Sequence, residues 1–320
     1  MSLSHEIENQ KVIKKFSKII LLKTLKNIRK NWVLYIFLLP CLIYVAIFNY
    51  APMYGIIIGF KNFKPALGIW NSEWVGFAHF QRFFESYQFG SLLRNTVTLS
   101  FYLIIASFPF PIILALVLNY TTLPKLKKIA QTATYAPRLI SVVVTAGMLI
   151  IFCSPSGLFN QIGALFGIEP VALLGKENLY QSIYVWSSVW QRTGYQAVIY
   201  IAALTSVSNE LHEAAVVDGA NKFKRVLHID IPAVMPTIII LLIMNVGNVM
   251  SIGFEKSYLL QNDLNLGRSE IIATYVYKAG IRSAQYGYAT AIGLFNNIIN
   301  LTLLITVNKV SRTLSGKSLW

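Results

Sequence analysis

The sequence predicts an all-α integral membrane protein with six transmembrane helices. Of its 320 residues, 55% are hydrophobic and only 13% are charged, and its mean hydropathy is +0.55. A water-soluble domain does not need so apolar a composition. Apolar segments long enough to cross a bilayer core of about 30 Å recur along the chain. They lie at 32–60, 92–118, 130–153, 180–206, 233–254 and 287–308.

The first 30 residues differ from everything that follows. They contain eight lysines and arginines interleaved with apolar side chains, which predicts a basic amphipathic helix on the anionic cytoplasmic face of a membrane. No small-residue cleavage site follows, so the first span is expected to be uncleaved. We therefore divide the chain into this segment and a transmembrane domain over 31–320, with its core at about 91–308.

Basic residues indicate the orientation of the chain in the membrane. The N-terminal segment, the 119–129 and 207–231 loops and the C-terminal tail hold seventeen lysines and arginines, whereas the alternate loops hold nine. Cytoplasmic loops carry the excess of positive charge. Both termini are therefore expected in the cytoplasm of a multi-pass protein of the cell membrane. The net charge of +15 is spread over these short loops, so the membrane explains it better than nucleic acid does.

A polar stretch between the fourth and fifth spans, 209–236, has the pattern of a bent helix pair. Ser208 or Asn209 can cap its first helix, which Gly219 can end in a left-handed conformation. The second helix is predicted to run until Pro232, which lacks a backbone donor. Ala214 and Ala215 would let a partner surface approach the backbone closely. These features predict a docking element at 209–232.

The same residues resemble the EAA motif in the membrane subunits of ABC importers. The motif residues are Glu213, Ala214, Ala215, Asp218, Gly219, Ile229 and Pro232, with Ile231 where the family usually has Leu. The resemblance implies a MetI-like type I permease fold in which this stretch is a cytoplasmic coupling helix on an ATPase subunit. Fragments from Trp74 to Leu294 further resemble the carbohydrate-importer branch, and within it the LplB-like permeases for oligosaccharides and polysaccharide products.

The resemblance also implies the partners of the chain. They are a second homologous permease, two ATPase subunits, an extracytoplasmic sugar-binding lipoprotein or protein, membrane lipids and the sugar itself. ATP and Mg²⁺ would be bound by the ATPase subunits, because no Walker A pattern occurs in this chain. The permease itself would be non-catalytic and would bind neither metal nor cofactor.

Aromatic and amide side chains within the spans are candidates for a sugar route. Trp186, Trp190, Gln191 and Tyr195 fall within about two and a half turns of the fourth span, and together they offer the flat apolar faces and polar groups that a sugar needs. Arg138 and Arg192 would each cost about 2.5–3.5 kcal/mol at a helix centre, so they are expected near span ends or in a wet cavity. The remaining candidates are Asn245, Asn248, Glu255 and Asn296.

Each asparagine has an alternative interpretation, in which it bonds neighbouring helices at about 0.6 kcal/mol per bond. Two other classes of protein also stay open. A secondary transporter is disfavoured because no span has a carboxylate at its middle, and Glu255 comes only at the outer end of the fifth. A membrane-embedded enzyme or scaffold has no motif that supports it, since the four histidines are scattered and form no HExxH.

Overall fold

The computed structural model describes residues 30–316 and 318–319. The predicted amphipathic helix within residues 1–29 lies outside the described residues. The chain divides between Ile57 and Ile58 into two compact units.

The described part of the first unit is helical and mostly exposed. It begins with the helix Trp32–Val45 (α1), continues through a π-helical turn at Ala46–Tyr50, and ends with the short helix Ala51–Met53 (α2). Every side chain from 32 to 54 is exposed. A helix that is apolar on all sides is typical of a membrane span.

The second unit opens with a region rich in aromatic side chains. After the 3₁₀ turn Tyr54–Phe60, the pair Lys61–Asn62 (β1) meets Glu73–Trp74 (β2) in a two-residue antiparallel ladder. The Phe60 ring stacks on Trp74 with 5.8 Å between ring centroids. This ladder is the one departure from an all-α fold in the part of the chain that the structure describes. Two short helices complete the region, Gly68–Asn71 (α3) and Ala78–Phe84 (α4).

The second and third predicted spans differ in their straightness. The second forms Phe89–Ser107 (α5) and Pro109–Tyr120 (α6), which together make one 32-residue membrane-length helix. The third predicted span, 130–153, is instead bent by 97°. Proline at 137 and the extended backbone of Ile140 break it, and Ser141 caps the next helix by accepting from the Val144 N–H at 3.2 Å. Its parts are Pro124–Tyr135 (α7), the 3₁₀ turn Ala136–Leu139 and Val142–Phe152 (α8).

The fourth predicted span is the central helix of the second unit. It follows Leu158–Ala164 (α9) and the 3₁₀ turn Leu173–Gly175, and it runs from Glu177 to Leu204 (α10). Tyr180 and Tyr184 are buried near its start, while Ala197, Tyr200 and Leu204 are buried near its end. The helix packs against α5, α6 and α7, so its side chains can reach most of the core.

The polar stretch forms the predicted helix pair, but the predicted stop at Pro232 is wrong. Asn209–Val217 (α11) is followed by Lys222–Arg225 (α12), the π-helical turn Val226–Asp230 and Ile231–Gly247 (α13), and the backbone stays helical from Lys222 to Gly247. Pro232 lies in the first turn of α13 after the wider π turn. A proline is tolerated at that position, since its missing N–H is not needed there.

The fifth predicted span also ends earlier than 254. Helix α13 stops at Gly247, and residues 248–253 leave the helix. Asn300 accepts from the Met250 N–H at 2.9 Å, and Asn296 donates to the Met250 carbonyl at 3.0 Å. These amides satisfy backbone groups that would otherwise be unpaired at a break inside a membrane. The remaining elements are Phe254–Leu260 (α14), Leu266–Ser269 (α15), Ile272–Tyr277 (α16), the π turn Lys278–Arg282 and Tyr286–Ser315 (α17).

Length and composition do not confirm six spans. Within residues 30–316, four helices are long and apolar enough to cross a membrane, or five if the bent pair counts as one span. The remaining predicted segment forms α10, which has 28 residues. It is long enough to span, but its serine, glutamine and tyrosine side chains make it less apolar than the other helices.

One close helix contact gives a testable prediction. A Cβ atom added at Gly194 of α10 would overlap the backbone of Thr134 in α7, whereas one added at Gly293 of α17 would meet open space. Gly194→Ala should therefore destabilise the protein by about 1–3 kcal/mol through overpacking. Gly293→Ala, the matched control, should be neutral or stabilising. Thermal unfolding of the purified protein in detergent measures both, and equal melting temperatures would contradict the contact.

Candidate coupling element and transport route

The first helix of the polar stretch has well-defined ends. The Ser208 hydroxyl accepts from the Glu210 N–H at 3.2 Å at its start. At its end the Gly219 N–H donates to Val216 O at 3.0 Å, and the Ala220 N–H donates to Ala215 O at 2.8 Å. This pair of bonds is a Schellman ending, which needs a left-handed residue. Gly219 supplies it with a φ of +77°, as its position in the motif predicted.

Most of the predicted coupling residues lie on the surface. Glu213, Ala214, Asp218, Gly219 and Pro232 are exposed, while Ala215 and Ile229 are partly buried. Two apolar side chains beside the turn between the two helices are also exposed, Val217 at 86% and Phe223 at 73%. Exposed apolar groups on an otherwise polar loop are typical of an interaction surface. The sequence analysis did not single out these two side chains.

The helix pair is joined to the membrane helices through Asp230, which is completely buried. Its Oδ2 accepts from the Tyr120 hydroxyl at the end of α6 at 2.7 Å, and its Oδ1 lies 3.4 Å from Nε2 of His212 in α11. The Arg225 guanidinium lies 5.4 Å from the Tyr120 ring centroid. Sequence reasoning missed these contacts, although Asp230 is the one acid in the apolar sequence that follows the basic residues of the second helix.

Two of the fourth-span candidates line one apolar cavity. Trp186 and Trp190 are both half exposed, and they border a space of about 540 Å³ together with Met148, Phe152 and Phe159. The Trp186 Nε1 donates to the Tyr102 hydroxyl at 3.1 Å. This cavity offers flat apolar faces but few polar groups.

The other two fourth-span candidates lie elsewhere. Gln191 is buried, and its amide donates to the Ile140 carbonyl at 3.0 Å and to the Thr145 hydroxyl at 3.1 Å. Both bonds hold α10 to the bend before α8. Tyr195 is exposed beside Arg138, whose guanidinium carbon lies 5.5 Å from the ring centroid. The four residues therefore do not form one cluster.

The fifth-span asparagines line a second, more polar cavity. Asn245 and Asn248 border a space of about 190 Å³ with Ser107, Gln196 and Tyr200. Asn248 also donates to the Met244 carbonyl of its own helix at 3.0 Å. The hydroxyl and amide groups opposite the asparagines were not predicted, although Gln196 is the next amide after Gln191 on α10. Hydroxyl and amide groups of this kind suit the hydrogen bonds of a sugar.

The last two candidates have different surroundings. Asn296 binds the Met250 carbonyl at the break after α13, an arrangement that favours the helix-bonding interpretation. Glu255 is exposed in the first turn of α14, outside α13.

The chain was compared with known proteins. Residues 85–315 match the family of binding-protein-dependent transport system inner membrane components. Protein LplB of Bacillus subtilis (strain 168) is 38% identical over 293 residues, which cover 91% of this chain and 92% of that protein. The polygalacturonan/rhamnogalacturonan transport system permease protein YteP of the same organism is 38% identical over 288 residues, or 90% of each chain.

Solved structures agree with these matches. A chain in the crystal structure of a bacterial ABC transporter involved in the import of the acidic polysaccharide alginate has a TM-score of 0.85 and 36% identity. The match covers 92% of this chain and 99% of that chain. A second structure of a bacterial alginate transporter, in complex with a periplasmic protein bound to an alginate pentasaccharide, matches with the same TM-score. With its EAA stretch formed as an exposed helix pair, the chain belongs to the binding-protein-dependent inner membrane components and has their MetI-like permease fold.

Proposed function

We propose that this chain is the permease subunit of an ATP-driven importer that translocates an oligosaccharide. It works with a second, homologous permease and two ATPase subunits, which bind and hydrolyse ATP with Mg²⁺. An extracytoplasmic binding protein or lipoprotein delivers the sugar. Both termini lie in the cytoplasm, so that 209–232 faces the ATPase. The chain itself is non-catalytic and binds no cofactor.

The observation that carries this proposal is the exposed helix pair, which a buried aspartate connects to the membrane helices. Small and apolar groups at Ala214, Val217 and Phe223 offer a surface to the ATPase subunit. The buried Asp230 accepts a hydrogen bond from a tyrosine of α6. The relatives named for polygalacturonan/rhamnogalacturonan and for alginate support a polysaccharide product as substrate.

The geometry suggests how ATP-driven movement reaches the membrane. When the ATPase pair closes on ATP, α11 and α12 move with it as a rigid element. The Tyr120–Asp230 hydrogen bond transmits this movement to α6, and the continuous helix from Lys222 to Gly247 transmits it to α13. These helices border the cavity of Gln196, Asn245 and Asn248, so its access changes with the ATPase state.

A secondary transporter, the alternative, does not fit a binding-protein-dependent family. Such transporters use a carboxylate buried among the spans. Asp230 is buried, but it lies where the coupling element meets α13 and is bonded to Tyr120. It therefore has a structural partner rather than a free position for an ion.

The first prediction concerns coupling. Ala214→Asp places a charge on the exposed face of α11, where an unpaired charge in an interface costs about 2–5 kcal/mol. We expect uptake by the assembled transporter to fall more than tenfold while the chain still inserts in the membrane. Thr313→Asp, which adds the same charge at an exposed position of α17, is the control. Uptake at the wild-type rate by the Ala214 variant would contradict the proposal that α11 docks on the ATPase subunit.

A second prediction concerns orientation. Lys222 and Leu264 are both exposed, so a cysteine at either position is open to a membrane-impermeant maleimide. In a background without Cys41, which is exposed, and Cys153, which is buried, Lys222→Cys should be labelled only from the cytoplasmic side. Leu264→Cys should be labelled only from outside. The reverse pattern would overturn the orientation and the coupling role together.

A third prediction separates the route from helix bonding. Asn248→Ala removes an amide that lines the polar cavity and bonds only its own helix, so uptake should fall at least fivefold while complex yield stays unchanged. Asn296→Ala removes the amide that satisfies the Met250 carbonyl. It should lower the thermal stability of the complex by about 0.6–2 kcal/mol. Equal losses of yield in both variants would place Asn248 among the helix-bonding residues.

A further inference from the structure

Two cations lie on α10 and α14 without an anionic partner. Lys256 is only 6% exposed, and its ammonium donates to the Ser188 hydroxyl at 2.7 Å and to the Tyr184 carbonyl at 3.2 Å. The same nitrogen lies 5.0 Å from the Tyr184 ring centroid. These contacts are neutral, and within residues 30–316 the ammonium makes no ion pair.

Arg192 lies on the same side of α10 as the hydroxyl group that this ammonium binds. It is four residues beyond Ser188, hence on the same face of the helix. Its guanidinium makes no hydrogen bond, ion pair or ring contact with the residues that the structure describes. Arg192 is 12 residues from Leu204, or about 18 Å along the helix, so it lies near the middle of a membrane-length helix.

The acidic side chains among the described residues do not pair with these two cations. The acidic residue nearest in sequence, Glu255, is exposed and forms no ion pair. The two ion-pair contacts among the described residues, Lys278 with Glu270 and His212 with Asp230, involve other groups. Charges inside a membrane are almost always paired, or they lie on a route for an ion or substrate. Lys256 and Arg192 carry charge of the same sign, so a bound anion would stabilise both.

The cations lie in line with the polar cavity. Ser188, Arg192 and Gln196 are spaced four residues apart on α10 and form one stripe along it. Gln196 borders the cavity that Asn245 and Asn248 line. The stripe therefore carries a cation-rich end and an amide-rich end, which suit a ligand with both carboxylates and hydroxyl groups.

We propose that the oligosaccharide carried by this chain is acidic, and that Arg192 and Lys256 receive its uronate carboxylates next to the amide-lined cavity. This inference rests on the proposed function as a sugar permease. The competing explanation is that an acidic side chain of the second permease subunit neutralises Arg192. In that case removal of the arginine would damage assembly and the transport of every sugar alike.

The test uses the complete transporter with its binding protein in proteoliposomes. The probes are radiolabelled α-1,4-trigalacturonate and its carboxyl-reduced product, which has the same length and linkage but no charge. An alginate trisaccharide and its reduced product form a second pair, and both pairs are used at concentrations that saturate the binding protein. The variants are Arg192→Gln, Lys256→Met and the control Lys309→Met, which removes a cation at the exposed end of α17.

We expect the wild type to import one acidic trisaccharide at least tenfold faster than its reduced product. Arg192→Gln and Lys256→Met should each lower acidic uptake at least tenfold with unchanged complex yield and basal ATPase activity, and Lys309→Met should stay within twofold of wild type. Arg192→Gln makes the test decisive if the buried Lys256 variant fails to fold, because the Arg192 guanidinium makes no hydrogen bond or ion pair with the described residues.

Several outcomes would overturn the inference and leave the proposed function standing. One is import of a reduced trisaccharide as fast as its acidic form. Another is acidic uptake by Arg192→Gln that stays at the wild-type rate. The third is an Arg192→Gln variant that loses acidic and neutral uptake equally or fails to assemble. If no acidic or neutral oligosaccharide is imported although the binding protein binds it, the proposed function itself fails.

Discussion

The arrangement of the helix pair that follows α10 depends on one buried carboxylate. Asp230 has no exposure to solvent and accepts from the Tyr120 hydroxyl at 2.7 Å, while His212 approaches its other oxygen. A buried carboxylate that loses its donor is strongly destabilising, so α6, α11 and the π turn before α13 are held in one geometry. The exposed groups around Ala214 and the buried contact of Asp230 are thus different residues of the same polar stretch.

A second constraint is that backbone polar groups inside a membrane need partners within the protein. Helix α13 stops at Gly247, and the side-chain amides of Asn296 and Asn300 form hydrogen bonds with the backbone groups of Met250. The Ser100 hydroxyl does the same for the Val249 carbonyl. The break is therefore a stable feature, and Lys256 of the helix α14 that follows it donates to Ser188 of α10.

The sequence predicted the features that depend on local chemistry. The cap at Ser208, the left-handed Gly219 and the approximate bounds of α11 follow from residues within a few positions of each other. Pairings between distant segments could not be read in the same way. Trp186 and Gln191 are five residues apart, yet Gln191 is buried against the bend before α8 while Trp186 borders an open cavity. The break after Gly247 likewise depends on partners far along the chain.

Arg192 shows what the sequence and the structure each contribute. From sequence, its cost at a helix centre predicted a place near a span end or in a wet cavity, but the sequence did not say which. In the structure it lies near the middle of α10, one turn from Ser188, which binds the ammonium of Lys256, and one turn from Gln196, which lines the polar cavity. A chain that only needed to pack would avoid two adjacent cations there, since apolar side chains of similar volume would cost less. Their retention on the face of α10 that leads to Gln196 is explained most simply by a ligand that brings the missing negative charge.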